Sequence, residues 1–122
     1  MIKLNGIDHI CLMVSNLEES KVYYGKLFGF IFNLYPSHEK MLMVESEHVH
    51  FFLKESKMPI EFLISQHLSF DVSNLNLVVE ELNKIRITFE MGIFRHFKHR
   101  NYKWVEWRDP DGIRLECVEK IE

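Results

Sequence analysis

The sequence predicts an α+β fold built from two tandem βαβββ modules. Three observations carry that expectation. A segment near the start, "HICLMVSNL" at residues 9–17, recurs near the middle as "HLSFDVSNL" at residues 67–75. A helix-period stretch follows each copy, and short runs alternating with period two follow each helix. The closing stretch "WRDPDGIRLECVE", residues 107–119, has a Pro-Asp-Gly turn between two strand-like runs. The copies are offset by 58 residues, His9 to His67, so a 122-residue chain fits one domain of two repeats. They span about 5–56 and about 64–122.

In the first copy, alternation puts Ile10, Leu12 and Val14 on one strand face and His9, Cys11 and Met13 on the other. Ser15 or Asn16 caps the helix that follows, and Ser15-x-x-Glu18 has capping-box spacing. Leu17, Tyr24, Leu27 and Phe28 share its apolar face, and Gly29 is a fitting stop. "FIFNLY", "KMLMVES" and "HVHFFLKE" supply three strands. "SKMPIEF" reads as the linker between modules. In the second copy, Leu68, Phe70 and Val72 oppose His67, Ser69 and Asp71. Ser73 or Asn74 caps a helix with Leu75, Val78, Val79, Leu82 and Ile85 on one face. "ITFEM", "NYKWVEWR" and "GIRLECVE" follow as strands. The apolar strand faces should pack on the helices, leaving the other faces to line a cavity or groove.

Composition bounds the function. A hydrophobic share of 47% and a charged share of 27% are ordinary for a soluble globular protein. A net charge of -3 offers no general attraction to nucleic acid or to an anionic membrane. Cys11 and Cys117 are the two cysteines and form no Cys-x-x-Cys motif, which speaks against a disulfide scaffold or a cysteine zinc site. Asp8 and His9 interrupt the N-terminal region before it reaches the length of a signal peptide or membrane span, so the cytoplasm is the expected location.

Glu116 lies mid-strand between Leu115 and Cys117, where a carboxylate needs a partner or a metal. His9 and His67 hold equivalent places in the two copies, and a two-fold arrangement would bring them together. Two histidines and a carboxylate can hold a divalent metal and leave positions open for water or substrate. A strand histidine by itself is more often a hydrogen-bonded structural residue; the repeat is what raises the metal reading.

"GIDHICLMVSNLEESKVYYGKLFGF", "HLSFDVSNL" and "WRDPDGIRLECVE" together resemble the vicinal oxygen chelate superfamily over nearly the whole chain. That superfamily contains glyoxalase I, extradiol dioxygenases, bleomycin-resistance proteins and fosfomycin-modifying enzymes. The resemblance implies two modules forming a half-open barrel-like sheet around a metal. It places the ligands on His9, His67 and Glu116, with manganese, iron, zinc or nickel as the divalent ion. It also implies a homodimer, in which each metal cup is built within one chain or from exchanged modules.

The reaction is less legible. Aligning "HVHFFLKE" with "GIRLECVE" sets Phe52 opposite Glu116, so the fourth ligand of glyoxalase I-like members is missing. The first strand is most similar to the fosfomycin thiol transferases, with Cys11 two residues beyond the ligand histidine. Those enzymes carry a tail past the last strand and a tyrosine where this chain has Glu106; here the sequence stops at Glu122. Glu106 shares a face with Tyr102, Trp104 and Arg108, and is either a general base or the partner of Arg108 or a lysine. Cys11 either touches substrate or fills volume, and Cys117 points away from Glu116, which disfavours a bridge to Cys11. His50 and Phe52 share a face and can line the cavity with Trp104. Arg95, Lys98 and Arg100 make a basic loop suited to an anionic substrate.

The sequence therefore predicts a metal-dependent enzyme acting on a small, anionic, oxygen-bearing molecule, with thiol transfer of the fosfomycin type the best single reaction and lyase or dioxygenase chemistry beside it. The alternative is a metal-free protein that sequesters a small molecule against Phe52, Tyr102 and Trp104. Neither reading requires nucleic acid or a membrane.

Overall fold

The computed structural model describes residues 1–95 and 100–121. Two compact units divide the chain, Met1–Leu63 and Ile64–Glu122, and each is one βαβββ module. Module 1 contains β1 (Cys11–Val14), α1 (Leu17–Phe28), β2 (Ile31–Tyr35), β3 (His38–Glu45) and β4 (His50–Glu55). A short helix, α2 (Ile60–Ser65), follows. Module 2 contains β5 (His67–Asp71), α3 (Leu75–Lys84), β6 (Glu90–Phe94), β7 (Tyr102–Arg108) and β8 (Arg114–Lys120).

Each module forms its own four-stranded sheet, in the order β1-β4-β3-β2 and β5-β8-β7-β6. The first strand pairs in parallel with the last, and the remaining pairs are antiparallel. The expected faces are observed. Leu12, Val14, Phe51 and Leu53 are buried on the helix side of module 1, with Tyr24 of α1 among them. Tyr24 meets the Phe51 ring at 6.2 Å. In module 2, Leu75 and Leu82 of α3 are buried, as are Val105, Trp107, Leu115 and Cys117. Truncating a leucine as deeply buried as Leu82 typically costs about 2–5 kcal/mol.

Local chemistry sets the helix ends. Asn16, not the Ser15–Glu18 box, caps α1, its side chain accepting from the Glu19 amide at 2.9 Å. Asn74 caps α3 through the Asn76 amide. Gly29 ends α1 in the left-handed region, φ 67°. The end of α3 differs from expectation. The Ile87 amide donates to the Leu82 carbonyl and the Arg86 amide to that of Asn83, the bonding of a Schellman motif with Arg86 at φ 60° where glycine is usual. That exit uses residues assigned from sequence to "ITFEM", so β6 starts at Glu90 and runs to Phe94. The linker "SKMPIEF" is likewise partly helical, because the Pro59 carbonyl accepts from the Phe62 and Leu63 amides and starts α2.

A glutamate on the closing strand of each module completes the helix start. Glu55 accepts from the Leu17 amide at 2.9 Å and binds Lys40 at 2.8 Å. Glu119 accepts from the Leu75 amide at 2.8 Å and pairs with Lys103 at 3.1 Å. Each carboxylate thus meets an unpaired amide at the positive end of a helix. The Lys40 hydrogen bond, then the Leu17 amide, holds the Glu55 carboxyl below its usual range. The Leu75 amide, then Lys103, does so for Glu119. A carboxyl whose value is lower folded than unfolded stabilises the fold above the unfolded value, and the contribution is lost as pH falls through the folded one. Native stability should therefore decline as pH drops below the usual glutamate value of 4.5, and the chain carrying both Glu55→Gln and Glu119→Gln should lose that part of the decline. Urea unfolding at stepped pH checks this.

Candidate functional site

In module 2 the parallel ladder sets His67 beside Arg114 and Ser69 beside Glu116. The antiparallel ladder sets Glu106 beside Glu116. Alternation then puts His67, Ser69, Glu106, Arg114 and Glu116 on the face turned away from α3. Glu116 is only 8% exposed. Its Oε1 lies 3.3 Å from Nε2 of His67, which is the partner its position demanded. Glu106 is paired at 3.0 Å with the Arg114 guanidinium. The expected Arg108 instead donates to the carbonyls of Ile64 and Gly112.

The turn that delivers Glu116 is self-bonded. The buried Asp109 carboxylate accepts from the Asp111 and Ile113 amides, both at 2.9 Å, and Gly112 takes φ 81°. These bonds fix the start of β8 and with it the register of Glu116.

Module 1 carries a different group at the equivalent places. Phe52 sits beside Cys11, as Glu116 sits beside Ser69. His9 lies two residues before β1 rather than on it, and its ring is edge-on to Phe52 at 4.7 Å. The chain is already paired at the next residue, where the Ile10 carbonyl accepts from the Phe52 amide. His9 Nδ1 contacts Asp8 at 2.7 Å. His50 lies 5.6 Å from His9 and 5.4 Å from Phe52, ring to ring. Cys11 is exposed, yet desolvation raises its thiol above the ordinary range.

The remaining candidates are spread along module 2. Trp104 lies over Gly92 so closely that a Cβ there would meet its indole at 2.8 Å. Tyr102 stacks on Phe94 at 5.2 Å. An open cleft of about 480 Å³ is lined by Ile87, Thr88, Phe89, Glu90, Glu106, Trp107 and Arg108, so it shares Glu106 with the polar face but not His67 or Glu116. Arg95 and Arg100 are exposed, and Lys98 lies outside the described residues. Among the described residues, no three His, Cys, Asp or Glu side chains gather closely enough to hold an ion. Within the modules, the structure brings His67 to Glu116 and His9 to His50. Arg114, which pairs with Glu106, and Asp8, which contacts His9, were missed from sequence. Arg114 is on the same strand face two residues before Glu116, and that alternation was the available signal.

The family model described as the Glyoxalase/Bleomycin resistance protein/Dioxygenase superfamily matches residues 6–117. The chain belongs to this superfamily. Solved structures with the same fold include virulence protein STM3117 from Salmonella typhimurium, at 22% identity and TM-score 0.79, covering 98% of this chain and 100% of that one. The antibiotic binding protein TnmS3 from Streptomyces sp. CB03234 is 16% identical with TM-score 0.77, covering 99% and 100%. The fosfomycin resistance protein FosX from Listeria monocytogenes, in complex with manganese(II) and sulfate, is 12% identical with TM-score 0.70, covering 98% and 93%. No curated protein matches the chain. Among the described residues of this superfamily member, no helix is long and apolar enough to cross a membrane.

The two thiols should report the two strand faces. Burial, then the Glu116 charge, pushes Cys117 up to about 12. At about pH 8, alkylation of the native chain should label Cys11 alone, more slowly than an unhindered thiol, and unfolding should expose Cys117 to the same reagent. Mass spectrometry of labelled peptides reads the outcome.

Proposed function

We propose that this chain is a divalent-metal-dependent enzyme acting on a small, anionic, oxygen-bearing molecule, with His9, His67 and Glu116 as metal ligands. Fosfomycin-type thiol transfer is the best single reaction in that class; lyase and dioxygenase chemistry are its neighbours. The observation that carries the proposal is the His67–Glu116 pair, an imidazole and a largely buried carboxylate 3.3 Å apart on the polar sheet face. The donor set fits the metal that members of this superfamily commonly use: one imidazole nitrogen and one carboxylate oxygen in module 2, and a second imidazole at the equivalent place in module 1. A bound ion would supply a Lewis acid that polarises a substrate oxygen.

The chain's own residues supply the rest. Glu116 contributes charge that only a cation or a protonated partner can balance in so buried a position. Arg114 holds Glu106, so Glu106 serves as a base when a substrate anion engages Arg114 in its stead. Arg95 and Arg100 steer anions, with Lys98 in the same sequence run. Phe52 and Trp104 offer apolar walls, and His50 and Cys11 lie beside Phe52 as substrate contacts. Exposed apolar side chains on the edge strands, Ile31 and Leu34 on β2 and Met91 and Ile93 on β6, support a homodimer.

The second reading is a metal-free binding protein. The Trp104–Gly92 contact and the Tyr102–Phe94 stack favour it, since they make an aromatic surface on module 2. Elemental analysis separates the two. The purified chain should hold about one divalent ion, as a single mononuclear site requires. His67→Ala and Glu116→Gln should each reduce that content sharply while circular dichroism stays native. Unchanged content in both variants would remove His67 and Glu116 from the ligand set, and an absence of metal together with binding of neutral aromatics would favour sequestration.

A further inference from the structure

Module 1 has a pair of its own. His9, two residues before β1, and His50, two residues before Phe52 on β4, correspond to His67 and Arg114 of module 2. In module 2 the arginine at that place has the Glu106 carboxylate 3.0 Å from its Nε, although that nitrogen makes no well-aligned hydrogen bond. In module 1 the place is filled by an imidazole whose Nε2 is shut off from solvent with no hydrogen-bond partner. A buried polar nitrogen left in that state costs free energy unless something binds it.

His9 is prepared differently. Its Nδ1 meets the Asp8 carboxylate at 2.7 Å. In the neutral ring this contact puts the proton on Nδ1 and leaves the Nε2 lone pair available, the carboxylate–histidine arrangement that orients metal ligands. The two rings are 5.6 Å apart and inclined at 44°, so they do not stack. Nitrogen–metal bonds of about 2.0–2.1 Å put an ion about 3.2 Å from each ring centre, and an angle of about 110–120° at the ion separates the centres by about 5.2–5.5 Å. The observed spacing is within about half an ångström of that range. Phe52, 7% exposed, packs against both rings and forms an apolar wall beside the pair.

We propose that His9 and His50 form a two-histidine site in module 1 that binds a divalent transition metal, with Asp8 orienting His9. Imidazole donors select zinc, copper or nickel over magnesium or calcium. The site requires neither His67 nor Glu116; because it takes His9, and takes His50 from among the substrate contacts, it is an alternative to the ligand set proposed above.

Zinc titration of the full chain carrying His67→Ala and Glu116→Gln, followed by ¹⁵N spectra of the histidine rings, tests the proposal. The ring nitrogens of His9 and His50 should shift together and saturate together, while exposed His48 stays in place. Adding His50→Phe, which keeps a ring against Phe52, should weaken zinc binding at least about tenfold, the lower end of what losing even a supporting group costs a metal site. It should also suppress the His9 shift. His50→Gln, a smaller and polar replacement, should do the same. Loss of all zinc binding in the doubly substituted chain, or a His9 shift with His50 unmoved, would overturn the proposal. The wild-type chain keeps the two readings distinguishable. There, movement of His67 without His50 supports the proposed function alone, and movement of His9 and His50 without His67 supports this pair alone.

Discussion

The parallel pairing of first and last strand is the constraint on which both modules depend. It joins residues distant in sequence, His67 with Arg114 and Cys11 with Phe52, and so decides which side chains share a face. A one-residue slip would turn Glu116 from the polar face to the face packed on α3, where Leu115 and Cys117 lie. Two sets of bonds guard against the slip. Asp109 fixes the turn before β8, and Glu119 ties β8 to the first amide of α3. Glu55 performs the second task in module 1. Helix capping, strand register and the placement of candidate ligands are therefore one problem with a shared solution.

Much of this was legible in the sequence because it rests on period and repetition. The alternation around His67 and Glu116 puts them on a common face, and the repeat sets Phe52 opposite Glu116, as the strand registers do. The caps were legible only as alternatives, since Ser15 and Asn16 both suit a helix start and only geometry selects Asn16. Less visible features depend on contacts across strands. The Glu106–Arg114 pair joins β7 to β8, so reading along β7 pointed to Arg108 instead. The shift of β6 came from Arg86, whose left-handed backbone is unusual for a residue other than glycine. The α2 helix arose inside a segment whose proline suggested only a linker.

The modules have diverged where chemistry is concentrated. Module 2 pairs an imidazole with a carboxylate; module 1 pairs two imidazoles beside a phenylalanine. Elsewhere they keep the same machinery, an asparagine cap and a glutamate bridging helix and lysine. The fold is thus maintained by repeated polar contacts on the helix side, leaving the opposite faces to differ without loss of register. That separation suits a superfamily whose fold hosts many reactions, with function set by side chains on a constant frame.

The central claim is that a divalent ion is held by imidazole nitrogen and carboxylate oxygen. X-ray absorption at the metal edge of the wild-type chain loaded with zinc reads the ligands directly. The claim predicts a nitrogen and oxygen shell at about 2.0–2.2 Å, with outer scattering from at least two imidazole rings. A sulfur shell at about 2.3 Å, which would assign the ion to a cysteine such as Cys11, or a spectrum without imidazole scattering, would contradict it.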